Sequence, residues 1–184
     1  MTRIAYQDPD KLTEEARVLL RERGNLNVYR ALANAPNVFT GWMIAGREHL
    51  TSSTLSARLR ELAILRTAQV MGSPYEVTQH TGLADQAGVS PVQRAALAPD
   101  AELDNAGFDA TELGVLHLIS ELITTKTVRA ELFHQVHTAL GDEATVELLM
   151  VIHRWAGLAL MLNALEVDLD TDARISIPPV SPER

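Results

Sequence analysis

Apolar residues recur along most of the chain at the three- and four-residue spacing of an amphipathic helix. The clearest example is residues 56–71, whose broad apolar face consists of Leu59, Leu62, Ala63, Leu65, Ala68 and Val70. Gly72 ends this helix, and the next one begins at Ser73 and Pro74 and runs to about residue 87. The short turn predicts that the two helices form an antiparallel hairpin at the centre of the fold.

Start and stop signals predict further helices elsewhere in the chain. We expect them over about residues 13–23, 28–35, 37–50, 109–125, 128–140 and 142–167, with a short helix after Ser90-Pro91. Asn37 is expected to cap the third helix, and Ser73 with Glu76 has the form of a capping box. No strand pattern of useful length is seen. The pattern therefore predicts one all-α domain, with an irregular arm at 1–11, a helical core at 12–171 and a proline-rich extended tail at 172–184.

The composition agrees with helix packing and excludes several functions. Of 184 residues, 46% are hydrophobic and only 4% aromatic, which favours helices over a sandwich or barrel. A net charge of −8 argues against general binding of nucleic acid. The first ten residues lack the apolar core of a signal peptide, and the apolar run at 147–163 is interrupted by His153 and Arg154. We expect a cytoplasmic protein that binds no nucleic acid and no membrane.

The absence of cysteine excludes disulfides, thiolate nucleophiles and thiolate metal sites. Glu131, His134 and His137 recur every three residues, but no second cluster completes a metal site, so we expect a solvated face and no metal.

Four residues around the predicted hairpin can support acid–base chemistry. Glu76 and His80 are four residues apart on one helix, where a carboxylate can orient an imidazole and raise its pKa. Tyr75 offers a hydroxyl donor, and Glu61 can approach His80 across the hairpin. Each also has a structural interpretation. Glu76 can complete a cap, His80 can be an ordinary buried histidine, Glu61 can be solvated and Tyr75 can serve packing.

Residues outside the hairpin leave similar alternatives. The segment from His153 to Trp155 suits either a pocket lining or an interface. Trp42 either borders the pocket or fills core. Arg66 or Arg47 can anchor a substrate carboxylate, although Arg66 is equally suited to a structural ion pair.

Several spaced segments resemble one protein family. They are Leu26-Asn27-Val28-Tyr29-Arg30-Ala31-Leu32-Ala33-Asn34-Ala35-Pro36, Arg60-Glu61-Leu62-Ala63-Ile64-Leu65-Arg66, Gly72-Ser73-Pro74-Tyr75-Glu76 with Gln79-His80, and Ala87-Gly88-Val89-Ser90. Together they resemble the carboxymuconolactone decarboxylase and alkylhydroperoxidase D superfamily. The likeness covers about residues 25–95 and implies an alkylhydroperoxidase D-like helical bundle.

The resemblance also shows where this chain departs from the peroxidase branch. That branch has a glutamate, then Cys-x-x-Cys, then a histidine four residues on. Glu61 and His80 match the glutamate and the histidine, but Ser73 and Glu76 stand at the cysteine positions. A hydroxyl and a carboxyl cannot cycle between dithiol and disulfide, so we expect no thiol peroxidase activity.

The cysteine-less decarboxylase branch is the closer match. It implies a lyase that needs no cofactor and acts on a small carboxylated lactone or a related enolisable carbonyl compound. His80, Glu76, Glu61 and Tyr75 would then be catalytic, and Ser73, Arg66 and Trp42 would contact substrate. The resemblance also implies a homo-oligomer, a trimer or hexamer. The alternative is a non-catalytic family member that binds a small ligand or acts in assembly.

Overall fold

The computed structural model describes residues 2–171, 174 and 175, and its regular secondary structure is entirely helical there. After a 3₁₀ turn at Pro9–Lys11 come α1 (Glu14–Glu22), α2 (Asn27–Leu32), α3 (Pro36–Thr51), α4 (Ala57–Val70), α5 (Pro74–Gln86), α6 (Pro91–Ala96), α7 (Ala110–Thr125) and α8 (Ala130–Leu165). The predicted all-α class is confirmed. The predicted extended tail lies, apart from Arg174 and Ile175, outside the described residues.

The chain divides into two compact units. The first comprises residues up to Ser52 together with those from Leu162 onward. Within it α1 packs on α3, and the N-terminal arm is tied down because the backbone N–H of Arg3 donates to the carbonyl of Leu165.

The second unit, Ser53–Met161, contains the predicted hairpin. Helices α4 and α5 pack along each other, and α7 packs on α4. Gly72 adopts φ +62° in the turn between α4 and α5, a left-handed conformation that glycine adopts without steric cost. The core beside α4 includes Leu62, Leu65, Ala84, Val89, Leu97 and Leu116. The predicted central antiparallel hairpin is confirmed.

Two predicted helix starts are wrong in detail. Helix α3 begins at Pro36, not at an Asn37 cap, because the fixed φ and missing N–H of proline suit the first helical position. At α5, Ser73 is the N-cap residue but its side chain makes no capping hydrogen bond, so the predicted box with Glu76 does not form. Boxes do form at Ser90 for α6 and at Asp109 for α7.

Helix α8 combines the last two predicted helices. Gly141 lies inside it with φ 77° and ψ 176°, so the axis breaks where the sequence predicted a helix end. By length and composition α8 is apolar enough to cross a membrane, a test that core helices of soluble proteins also pass. Here Leu148, Val151, Ile152 and Trp155 are buried inside the protein.

Candidate active site

Three helices of the second unit meet around one histidine ring. The Nδ1 of His80 on α5 lies 2.8 Å from Oε2 of Glu61 on α4. On its other side, the indole Nε1–H of Trp155 on α8 donates to His80 Nε2 at 3.0 Å. The two rings meet edge to face, with centroids 5.6 Å apart. All three side chains are buried, and the imidazole is only 3% exposed.

This arrangement assigns the protons on the ring. An indole N–H can only donate, so Nε2 of His80 must carry a lone pair. The ring proton of the neutral imidazole is then on Nδ1 and is donated to the Glu61 carboxylate. Glu61 thus fixes the tautomer and orientation of His80, and Trp155 occupies the nitrogen that would otherwise accept a proton.

Glu76 lies one helical turn before His80 but is not its hydrogen-bond partner among the described residues. Burial of this carboxyl raises its pKa well above the ordinary value, and the positive charge of Arg154 only partly opposes that effect. Arg154 is itself buried and lies over the Trp155 ring, with Cζ 5.9 Å from the centroid. Burial therefore favours the protonated form of Glu76, a carboxylic acid able to give up a proton.

Among the described residues, three buried polar atoms of this region have no hydrogen-bond partner. They are Oγ of Ser73, Oε2 of Glu76 and Oε1 of Glu61, the last of which lies 3.9 Å from Nε of Arg60. Glu76 and His80 share one face of α5, since they are four residues apart, and Ser73 is the N-cap residue of that helix. Buried polar groups are rarely left unpaired, so this face offers hydrogen bonds for a bound molecule to complete.

The other predicted site residues are placed differently. Tyr75 is buried at the start of α5. Arg66 does not join the His80 network. It donates from Nε to Ser120 at 2.9 Å and from Nη1 to the carbonyls of Leu97 and Ala98 at 2.8 Å. Trp42 is half-buried on α3, in the first unit.

The three residues from His153 to Trp155, which the sequence assigns to either a pocket or an interface, differ in position. Trp155 and Arg154 belong to the His80 network, whereas the neighbouring His153 is exposed. The signal for Trp155 was its place on the apolar face of α8 with Leu148 and Ile152, which the helical spacing predicts to be buried. His137 pairs with Asp142 at 2.6 Å, and within residues 2–171, 174 and 175 no three metal-binding side chains cluster.

Residues 36–113 match the model of the Carboxymuconolactone decarboxylase family. The match covers less than half of the chain. It contains Glu61, Glu76 and His80, whereas Arg154 and Trp155 lie outside it. The resemblance seen in the sequence is confirmed.

The fold as a whole is similar to that of a solved structure. That structure is the alkylhydroperoxidase AhpD core of an uncharacterised peroxidase-related protein from Ralstonia eutropha JMP134. The TM-score is 0.80 over 93% of each chain, at 16% sequence identity. No curated protein matches the chain. The solved structure thus agrees with this chain in fold alone, and the chemistry must be argued from the side chains.

Proposed function

We propose that this protein is a cofactor-independent acid–base enzyme that acts on a small carboxylated lactone or a related enolisable carbonyl compound. The observation that supports it best is the buried carboxyl of Glu76, whose pKa is raised by burial, beside the Glu61–His80–Trp155 network. A carboxylic acid that holds its proton more tightly than usual and a rigidly oriented imidazole are the parts such a reaction needs.

The proposed reaction is a decarboxylation. The bond between the substrate's carboxylate carbon and its neighbouring carbon breaks, carbon dioxide leaves, and the electron pair enters the conjugated carbonyl as a dienolate. The unpaired Ser73 hydroxyl is a donor for the developing oxyanion, and Arg154 adds positive charge nearby. Glu76 then transfers its proton to carbon, and solvent reprotonates the carboxylate so that the cycle closes.

In this scheme Glu61 and Trp155 are positioning residues. They hold the imidazole of His80 in one tautomer and one orientation. For His80 to accept a proton at Nε2, Trp155 must first release that nitrogen. A substrate with a removable proton next to its carbonyl would use this step, whereas a simple decarboxylation would need only Glu76.

The test is a screen of small lactones, β-keto acids and unsaturated carboxylates with wild-type protein and the Glu76→Gln variant. The amide has nearly the shape of the neutral acid but no transferable proton, so turnover should fall about 10²–10⁴-fold. Glu112→Gln is the control, since Glu112 is also buried but pairs with Arg58. A substrate that Glu76→Gln turns over at the wild-type rate would exclude Glu76 as the proton donor.

The alternative is a non-catalytic protein that binds a small ligand. It is favoured by one observation, that both ring nitrogens of His80 already have partners in the buried network. Under this alternative, compounds from the screen would bind and raise the melting temperature without being converted, and Glu76→Gln would alter affinity alone.

A further inference from the structure

A second concave site lies on the side of α4 that faces away from α5, the helix that carries His80. It is a cleft of about 290 Å³ lined by Arg66, Val70, Pro99, His117, Ser120, Glu121, Thr124 and Arg129. The volume is at the lower end of the range of small-molecule pockets, so only a ligand of a few heavy atoms fits. Arg66 follows Glu61 by five residues, which turns its side chain about 140° around the helix from the His80 network.

The base of this cleft carries a buried positive charge without a carboxylate partner. Arg66 is 5% exposed, and its hydrogen bonds go to the Ser120 hydroxyl and to two main-chain carbonyls. Within the described residues it forms no ion pair, and its Nη2 makes no hydrogen bond. Because Nη2 lacks a partner without being one of the buried unpaired atoms, solvent reaches it, and its two N–H groups are available to an anion in the cleft.

The remaining charges of the cleft do not cancel this one. The Nε of Arg129 pairs with Glu121 at 2.8 Å, and these hydrogen bonds lower the pKa of Glu121, which therefore stays ionised. Two guanidinium groups against one carboxylate leave a net single positive charge among the lining side chains. The half-exposed His117 imidazole lies 3.5 Å from Asp104, which does not line the cleft. Val70 and Pro99 provide apolar wall.

We propose that this cleft binds a small organic monocarboxylate, with its carboxylate on Nη2 of Arg66 and its apolar chain against Val70 and Pro99. A single net positive charge matches a monoanion, and Nη2 presents its donors end-on. Inorganic phosphate is mostly a dianion at neutral pH, has no apolar part and asks for more donors than this cleft offers. The site is separate from the proposed active site and does not depend on the acid–base proposal.

Butyrate is the probe, with inorganic phosphate and sodium chloride at equal ionic strength as competitors. Calorimetry should show saturable binding of butyrate with a dissociation constant of about 1 mM, as expected for a few contacts by a small ligand. In the NMR spectrum of histidine-labelled protein, the ring signal of His117 is the one that is absent from the His117→Gln variant. Butyrate should shift this signal. The proposal is overturned by the absence of saturable binding, by an unmoved His117 signal, or by phosphate binding more tightly than butyrate.

Variants then test the charge. Arg66→Gln should weaken butyrate binding at least about tenfold. Arg66 also donates hydrogen bonds to two main-chain carbonyls, so its replacement can prevent folding. Two variants at the exposed rim of the cleft, Arg129→Gln and Glu121→Gln, test the proposal in that case. Arg129→Gln leaves Glu121 facing the anion and should weaken binding several-fold, and Glu121→Gln should strengthen it.

Arg94→Gln is the matched control, because Arg94 pairs with Asp85 as Arg129 does with Glu121 but does not line the cleft. Its affinity for butyrate should equal that of the wild type. Equal affinity in Arg129→Gln, Glu121→Gln and wild type would show that the ligand lies elsewhere.

Discussion

Glu76 stands where the peroxidase pattern that the sequence resembles has a cysteine, and its environment gives it a different chemistry. It is 3% exposed, one of its oxygens has no hydrogen-bond partner among the described residues, and Arg154 is the charge that favours its ionised form. Desolvation outweighs that attraction, so the folded chain holds the proton more tightly than the unfolded chain does.

This difference predicts a pH dependence of stability. An unfolded Glu76 titrates near 4.5, whereas the folded one keeps its proton to higher pH. Its contribution is therefore fully present below pH 4.5. Above that, the free energy of unfolding should fall by about 1.4 kcal/mol per pH unit until the folded carboxyl also ionises. Urea denaturation of wild type and Glu76→Gln between pH 4.5 and 8 measures it, and parallel curves for the two proteins would contradict the prediction.

His80 contributes to stability as well as to the proposed chemistry. A ring that faced only a pocket would be replaced by glutamine with little loss of stability. The buried ring instead has partners on both nitrogens, so His80→Gln should lower the free energy of unfolding by about 1–3 kcal/mol through unpaired buried groups. If His80 acts as acid or base, turnover should also fall about 10²–10⁴-fold.

Trp155→Phe separates these two roles of His80. It removes the donor to Nε2 but keeps an aromatic ring against the imidazole, so stability should fall by about 1 kcal/mol. An enzyme that uses Nε2 keeps its turnover or gains in this variant. Loss of turnover as large as in His80→Gln would assign the whole network a structural role.

At the scale of elements, two serines that begin helices in the same way differ in what their side chains do. Ser90 accepts from the backbone N–H of Gln93 and caps α6, whereas Ser73 begins α5 with no capping bond. Ser90→Ala should cost about 1 kcal/mol of stability, and Ser73→Ala should cost almost none. Thermal or urea unfolding of the pair checks this, and an equal loss in both would mean that Ser73 caps its helix after all.

At the scale of the whole molecule, α8 presents apolar side chains to the outside. Val146, Met150 and Leu160 are 52–61% exposed and share one face at helical spacing. Together with the family resemblance, this supports the expectation of a homo-oligomer, a trimer or hexamer. Met150→Glu should shift it toward the 20.2 kDa monomer in light scattering, whereas Val92→Glu on α6 should not. A wild-type mass of one chain at micromolar concentration would contradict the expectation.

The composition of the whole chain also limits thiol-dependent redox chemistry. It resembles a peroxidase-related protein in fold, but its 184 residues contain no cysteine. We therefore expect no reduction of hydrogen peroxide or organic hydroperoxides with a dithiol donor. Measurable dithiol-dependent turnover above a metal-free blank would disprove this.

The sequence alone determined the helical class and the hairpin of α4 and α5, and it offered the approach of Glu61 to His80 as one of two interpretations. These follow from local rules: apolar spacing buries one face of each helix, and the Gly72-Ser73-Pro74 turn reverses the chain. The family resemblance further marked Glu61 and His80 by their positions. Such patterns involve residues that are close together in the sequence or that lie on either side of one tight turn.

Only the tertiary structure decided which residues outside α4 and α5 contact this hairpin. Trp155 and Arg154 come from a helix some 75 residues further along the chain. The apolar spacing predicts that Trp155 is buried, but no local pattern says that it meets His80. The raised pKa of Glu76 depends on its burial, since desolvation is a property of the surroundings and not of the residue type. For the same reason the sequence could suggest Arg66 as an anion anchor, but only the packed helices show that it opens into a cleft away from His80.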